Sequence, residues 1–200
     1  NGKVQCRLCS HFCVIEPGNP GMCGVRRNHD GELFTLVADR VAALNLDPVE
    51  KKLLYHFYPG TRTFSLGTMG CNLACTFCQN ASLSQPPRQG MAVQGRSISP
   101  KEIVYQALEI RAHSISYTYS EPTVFFELMR KTAELALEND LQNIMVSNGF
   151  MSPECLEELG PLIQAANIDL KAFTEEFYKE RCKARLKPVL ENLKKIKTLG

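Results

Sequence analysis

The sequence predicts an α/β fold: a partial (β/α) barrel of about four βα units, preceded by a small N-terminal cysteine-rich metal module. Three observations carry this. From Thr63 onward, short apolar runs alternate with helical patterns that open on a capping residue or a proline. Each run ends in polar residues, as strands do when their C-terminal ends surround a site. Ahead of them, Cys6, Cys9, Cys13 and Cys23 crowd into a Gly/Pro-rich stretch with too few apolar residues for an ordinary core. The expected division is a cysteine-rich module over 1–61 and an α/β core over 62–200, with the C-terminal end of that core truncated.

In chain order, the module offers two short strands, Leu33–Val37 and Arg40–Leu44, and a hinge at His56–Thr61. Thr63–Met69 alternates and reads as the first core strand. Ser99-Pro100-Lys101-Glu102 is a capping box that opens a helix to about Arg111. Ser114–Ser120 is the second strand, and Pro122 opens a helix to about Asn139, with Phe125, Leu128, Thr132 and Leu135 in the core. Asn143–Asn148 is the third strand, ended by Gly149, and Ser152-Pro153 caps a short helix. Ala166–Ala172 is the fourth strand. Thr174 caps the next helix and Pro188 opens the last, with Leu190, Leu193 and Ile196 buried. The ending K-K-I-K-T-L-G reads as a helix running into a turn, with another strand expected beyond it. Four parallel strands cannot close a barrel, so the sheet is open or lacks later strands.

The 200 residues carry a net charge of +2, with 44% apolar and 22% charged residues. No acidic or basic excess points to nucleic acid or a membrane surface, so neither partner is expected. No apolar run approaches the roughly 18 residues of a membrane span, and no secretion signal opens the chain. Nine cysteines, seven of them clustered, then favour metal over disulfides in a reducing cytoplasm.

Cys71, Cys75 and Cys78 form a C-x3-C-x2-C triad directly after the first core strand. A cubane [4Fe–4S] cluster takes one cysteine per iron, so three cysteines leave one iron open to a small molecule. A zinc site borrowing a distant fourth ligand is the alternative at this spacing. Cys6, Cys9, Cys13 and Cys23 form C-x2-C-x3-C-x9-C, and four thiolates close a tetrahedral shell that suits structural zinc; a second iron–sulfur cluster is the alternative, and His11 could replace one cysteine. His29, His56 and His113 read as surface or packing residues. Lys51-Lys52 reads as a solvated pair, and Cys155 and Cys182 as lone thiols.

The triad, with Phe77 before its last cysteine, resembles the motif of radical S-adenosylmethionine (SAM) enzymes. Tyr119-Ser120-Glu121-Pro122 stands where that superfamily has G-G-E-P, although the glycines are absent. Val146-Ser147-Asn148-Gly149 resembles its T-N-G segment, and Ile168-Asp169-Leu170-Lys171 resembles the D-x-K motif of pyruvate formate-lyase activators. Cys6–Cys13, Gly21–Arg26, Asp47–Lys52 and His56–Gly60 are similar to the radical SAM enzyme of the AmmeMemoRadiSam system.

The resemblance implies a radical SAM fold and a cluster on Cys71, Cys75 and Cys78 whose open iron chelates SAM. One electron then cleaves SAM to a 5′-deoxyadenosyl radical that abstracts a substrate hydrogen. It implies adenine on the Phe77 backbone, and SAM contacts from Ser120, Glu121, Ser147, Asn148, Asp169 and Lys171. It implies an electron donor such as flavodoxin or ferredoxin, and as substrate a glycyl radical enzyme or an AmmeMemoRadiSam partner. A non-enzymatic zinc or electron-transfer protein is the competing class.

Overall fold

The computed structural model describes residues 2–199. Near the N terminus, β1 (Val4–Gln5) and β2 (Val14–Ile15) pair antiparallel around the first cysteines. A hairpin follows, β3 (Arg26–His29) and β4 (Glu32–Thr35), turning on Asp30-Gly31 with both residues at positive φ. That turn is the Asp-Gly hairpin signal, and the expected strand Leu33–Val37 is its second arm, ending two residues early.

The main sheet has six strands. They are β5 (Arg40–Pro48), β6 (Arg62–Thr68), β7 (Arg96–Ser97), β8 (Ser114–Tyr117), β9 (Gln142–Ser147) and β10 (Ala165–Ile168), in the order β10-β9-β8-β6-β5-β7. β6, β8, β9 and β10 are mutually parallel, while β5 runs antiparallel to β6 and β7. The sheet is open. β5 lies within the segment expected as a separate module, yet it pairs with β6 along its length. It also outruns its expected end at Leu44. Leu44 and Leu46 pack on the core from one face. Asn45 and Asp47, whose polarity looked like a strand end, hydrogen-bond to Tyr119 from the other.

Among the described residues, four helices lie between strands, α1 (Ala81–Ser84), α2 (Pro100–Glu109), α3 (Phe126–Leu137) and α4 (Pro153–Leu159), and two follow β10, α5 (Glu175–Phe177) and α6 (Leu186–Leu199). The expected caps form: Ser99 and Glu102 make a reciprocal capping box, Ser152 accepts from the Cys155 amide, and Thr174 from the Phe177 amide. Pro122 opens a 3-10 turn that leads into α3, and α6 begins two residues ahead of Pro188. β8 stops at Tyr117 because Tyr119 turns to φ 66°. β10 stops at Ile168, and the Lys171 amide leaves the ladder to bond the Tyr178 hydroxyl.

The core lies between the sheet and α2, α3 and α4, with Leu66, Ile103, Ile115, Leu128 and Met129 at most 1% exposed. Burying each such side chain contributes about 1.5–3 kcal/mol. A second cluster of Leu73, Phe150, Tyr178, Cys182 and Val189 lies under the triad loop, with Leu190 and Leu193 against it. Asn192 of α6 donates to the carbonyls of Gly149 and Met151, both at 2.8 Å, and so fixes the loop after β9. Among the described residues, no helix is long and apolar enough to cross a membrane.

Candidate active site

The triad loop leaves the C-terminal end of β6 through two glycines that cannot be replaced freely. At Gly67 a Cβ would stand 2.5 Å from the Thr118 carbonyl, so the close approach of β6 to β8 needs its absence. Gly70 sits at φ +98°, with a hypothetical Cβ 2.7 Å from Val25. From there the chain turns into Cys71, Cys75 and Cys78.

All three cysteines line one cavity of about 570 Å³ at the C-terminal ends of the parallel strands. That is an ordinary size for a small-molecule site. The same cavity is lined by Phe77, Ser120, Glu121, Ser147, Asn148, Asp169 and Lys171, so every residue expected on the SAM side is brought together there.

The loop is braced by the protein's own hydrogen bonds. The Leu73 amide donates to Cys71 Sγ at 3.4 Å, and Cys78 Sγ lies 3.3 Å from Ser84 Oγ. Amides of Ala74 and Thr76 donate to carbonyls of the π-helical turn Tyr178–Cys182, both at 2.9 Å. His11 Nε2 donates to the Asn72 carbonyl at 2.8 Å, and Arg88 adds a 3.3 Å bond to the same oxygen. His11 thereby ties the N-terminal cysteine loop to the triad loop. Asn148 Nδ2 reaches Asn72 Oδ1 at 2.7 Å and Cys71 Sγ at 3.7 Å.

Glu121 is 1% exposed. Its Oε1 accepts from the Thr123 amide, the Thr123 hydroxyl and the Ser147 hydroxyl, and its Oε2 from the Asn148 amide. A carboxylate has about four lone-pair directions, so Oε2 keeps one for a ligand. Burial raises the Glu121 pKa and those four hydrogen bonds only partly oppose it. A cation in the cavity would reverse the shift. Burial would depress the Lys171 ammonium, but the Asp169 carboxylate 2.7 Å away outweighs it and holds the pKa above its ordinary value. Burial also raises the thiols: Cys75, with Cys182 beside it, is pushed up to about 12, and Cys71 goes higher still. Binding a metal would have to displace these protons.

Composition alone missed several residues. Asn72 is fully buried and its Nδ2 has no partner. Thr123 orients Glu121. Lys52, expected as one of a solvated pair, is 4% exposed and bonds Asp47 Oδ2 at 2.7 Å, while Lys51 takes Oδ1 at 2.8 Å from the surface. The Tyr119 hydroxyl donates to Asp47 at 2.7 Å and accepts from Asn45 at 3.0 Å, which holds Tyr119 in its left-handed conformation at the cavity wall. Cys182 is fully buried against the triad loop and Cys155 is 2% exposed.

The profile of the Radical SAM superfamily matches residues 66–200, more than half of the chain. The chain belongs to the radical SAM superfamily. It is 43% identical over its whole length to an uncharacterised protein of Methanocaldococcus jannaschii, of which it covers 59%. It is 28% identical over 112 residues to a 7-carboxy-7-deazaguanine synthase of Methanothermobacter thermautotrophicus, spanning 56% of this chain and 42% of that one. A 7-carboxy-7-deazaguanine synthase of Thermococcus kodakarensis is 27% identical over 127 residues, 56% of this chain and 50% of its own. The chain thus spans between two fifths and three fifths of the relatives it matches.

A radical SAM domain implies a [4Fe–4S] cluster and SAM. The cavity fits both: thiols of the right chemistry stand at its wall, and the buried Ser120 hydroxyl beside them has no partner in the protein. Cys6, Cys9, Cys13 and Cys23, the expected zinc ligands, line a second, apolar cavity with Leu8, Ile15, Met22 and Val124. Among the described residues, no group of three His, Cys, Asp or Glu, the triad included, stands in the geometry that holds a single ion.

Proposed function

We propose that this chain carries the SAM-cleaving half of an enzyme that abstracts a hydrogen atom from its substrate. One observation carries the reading: the three thiols that follow β6 and the polar ends of the three parallel strands beside it line a single cavity. In this reading Cys71, Cys75 and Cys78 hold the cluster and leave one iron for SAM. When bound, cluster and SAM supply a 5′-deoxyadenosyl radical for hydrogen abstraction.

The chain's own residues bind and orient. The open direction on Glu121 Oε2 accepts the ammonium of SAM, and the unpartnered Ser120 hydroxyl adds a second contact. Lys171, kept charged by Asp169, offers a counter-charge to the carboxylate. The Phe77 backbone takes the adenine edge, while Ser147 and Asn148 fix Glu121 and the triad loop. Leu73 and Tyr119 close the cavity wall against water.

The parallel strands are then the first part of a partial barrel, in keeping with the share of its relatives that the chain spans. The Asp169–Lys171 pair supports the pyruvate formate-lyase-activator version. There the substrate is the backbone of a glycyl radical enzyme, or a partner in the AmmeMemoRadiSam system, and the electron comes from a flavodoxin or ferredoxin. Leu170, exposed at the cavity wall, and the exposed Phe173 three residues on favour a substrate of protein size.

The test is anaerobic reconstitution followed by SAM and dithionite, with 5′-deoxyadenosine measured. Formation by the wild type and its loss in Cys75→Ala are expected. A sample that stays colourless, or one that binds iron yet yields no 5′-deoxyadenosine, overturns the reading.

A further inference from the structure

We propose that Tyr119 is a positioning residue: a strut from β5, made by Asp47 and Asn45 on its hydroxyl, holds a strained turn that aims Ser120 and Glu121 into the cavity. The inference takes its ligand from the SAM reading above, while the strut itself stands on this chain's geometry alone.

The turn comes first. Tyr119 sits at φ 66°, and the Ser120 amide donates to the Thr118 carbonyl at 2.9 Å. A three-residue turn closed in that way around a positive φ is a γ-turn of the rare, strained kind. A bulky side chain makes it costlier, since glycine alone takes positive φ freely. Among the described non-glycine residues at positive φ, Tyr119 alone lines the cavity. Its backbone lies beyond the end of β8 at Tyr117, so strand pairing does not set it. Strain of this kind persists only where the surroundings over-determine it.

Here they do so through the side chain. The ring leaves the end of β8 and crosses β6 to reach β5. It crosses at Gly67, where a Cβ would stand 3.1 Å from Tyr119 Cβ and 3.4 Å from its Cδ2. On the far side the hydroxyl donates to Asp47 Oδ2 at 2.7 Å and accepts from Asn45 Nδ2 at 3.0 Å. Lys52 Nζ, bound to the same Asp47, lies 5.0 Å from the ring centre, within cation–π range. What the turn presents faces the site. Ser120 follows, with its buried hydroxyl unpartnered, and then Glu121, whose Oε2 keeps a lone-pair direction. The Tyr119 carbonyl accepts from Asn80 Nδ2 at 2.7 Å, so the same residue also ties down the chain just past Cys78.

Reconstituted wild type, Tyr119→Phe and Tyr119→Gly are compared for SAM binding by anaerobic equilibrium dialysis, and for Ser120 amide exchange by mass spectrometry. Tyr119→Phe keeps the ring and the strain but loses both hydroxyl bonds. SAM affinity should fall about tenfold and Ser120 exchange should quicken about tenfold, with iron content unchanged. Tyr119→Gly removes the strut and the strain together, so it should bind SAM more tightly than Tyr119→Phe does. A role in packing alone gives the reverse order, because glycine deletes the whole ring. Wild-type SAM affinity in Tyr119→Phe, or weaker binding by Tyr119→Gly than by Tyr119→Phe, overturns the proposal. Should Tyr119→Phe fail to fold by circular dichroism, Asn45→Ala decides, since it removes one hydroxyl bond from an exposed position. Both readouts should shift the same way, and no shift overturns the proposal. A wild type that binds no SAM overturns the SAM reading instead, and the Ser120 exchange rates then decide the strut by themselves.

Discussion

Asp47→Asn should be among the most damaging substitutions outside the metal sites. Asp47 and Lys52 are both 4% exposed, and Lys52 Nζ has Asp47 as its carboxylate partner at 2.7 Å. At that distance and an effective dielectric near 20, the bare attraction is about 6 kcal/mol. Most of it offsets desolvation, so the intact pair contributes little net stability. Removing the carboxylate is a different matter, because it leaves a buried ammonium without a counter-charge. The expected cost is about 3–5 kcal/mol, which lowers the melting temperature by about 6–20 °C for a chain of this size.

Lys52→Met should cost less, about 1.5–3 kcal/mol, because Asp47 keeps its bonds to Lys51 and Tyr119. The double variant should cost less than the sum. The pH dependence has a definite sign. Burial already lowers the Lys52 pKa, and without Asp47 it falls further. The native state then binds fewer protons than the unfolded chain, so Asp47→Asn gains stability as pH rises from 7 toward the ordinary lysine pKa of about 10.4. Urea melts of the four proteins at pH 7 and pH 9.5 read all of this. A cost below about 1 kcal/mol for Asp47→Asn, or a double variant worse than the sum, would refute the buried-pair argument.

In the wild type, burial raises the Asp47 pKa but bonds from Lys51, Lys52 and Tyr119 outweigh it and hold the carboxyl well below its ordinary value. Its contribution is therefore present above that ordinary value and lost as pH falls through the folded one, so Asp47→Asn should show a flatter acid limb in melts from pH 5 to 2. Glu121→Gln replaces one carboxylate oxygen with an NH2 group, which sets a donor against the Asn148 amide while the remaining oxygen keeps Thr123 and Ser147. It should destabilise by about 2–4 kcal/mol and weaken SAM binding at least tenfold by anaerobic equilibrium dialysis; unchanged affinity would remove Glu121 from the site. Gly70→Ala forces an alanine into positive φ against Val25, and iron retention after gel filtration should drop while α-helical circular dichroism persists. Ser99→Ala loses one cap and should cost about 1 kcal/mol with no change in iron content.

What the sequence made legible was the local chemistry that backbone geometry reads directly. Ser99, Ser152 and Thr174 cap helices as expected, because a hydroxyl before an acidic or proline-led turn has few other uses. The polar strand ends at Glu121, Ser147, Asn148 and Asp169 converge, because parallel strands bring their C-terminal ends to one side. Asn45 and Asp47 were illegible for a physical reason: strand polarity depends on what stands opposite, and Tyr119 comes from a distant segment, while Lys52 is brought back onto Asp47 by the 3-10 turn after β5. Asn72 lies inside a recognised motif, but its partner His11 is fixed only by tertiary contact; Thr123 stands two residues past Glu121, so its bonds are local and the sequence carried the signal for them.

The Asn72 carbonyl, held by His11 from the N-terminal cysteine loop and by Arg88 from beyond α1, has a consequence for how this chain matures. The triad loop is a mould set in advance, not wax shaped by its insert. Assembly should then resemble filling a socket: its rate should track the supply of iron and sulfide, with no slow refolding phase behind it. Because one imidazole spans both cysteine loops, a blow to the first, such as oxidation of Cys9, should be felt as a looser grip on the second.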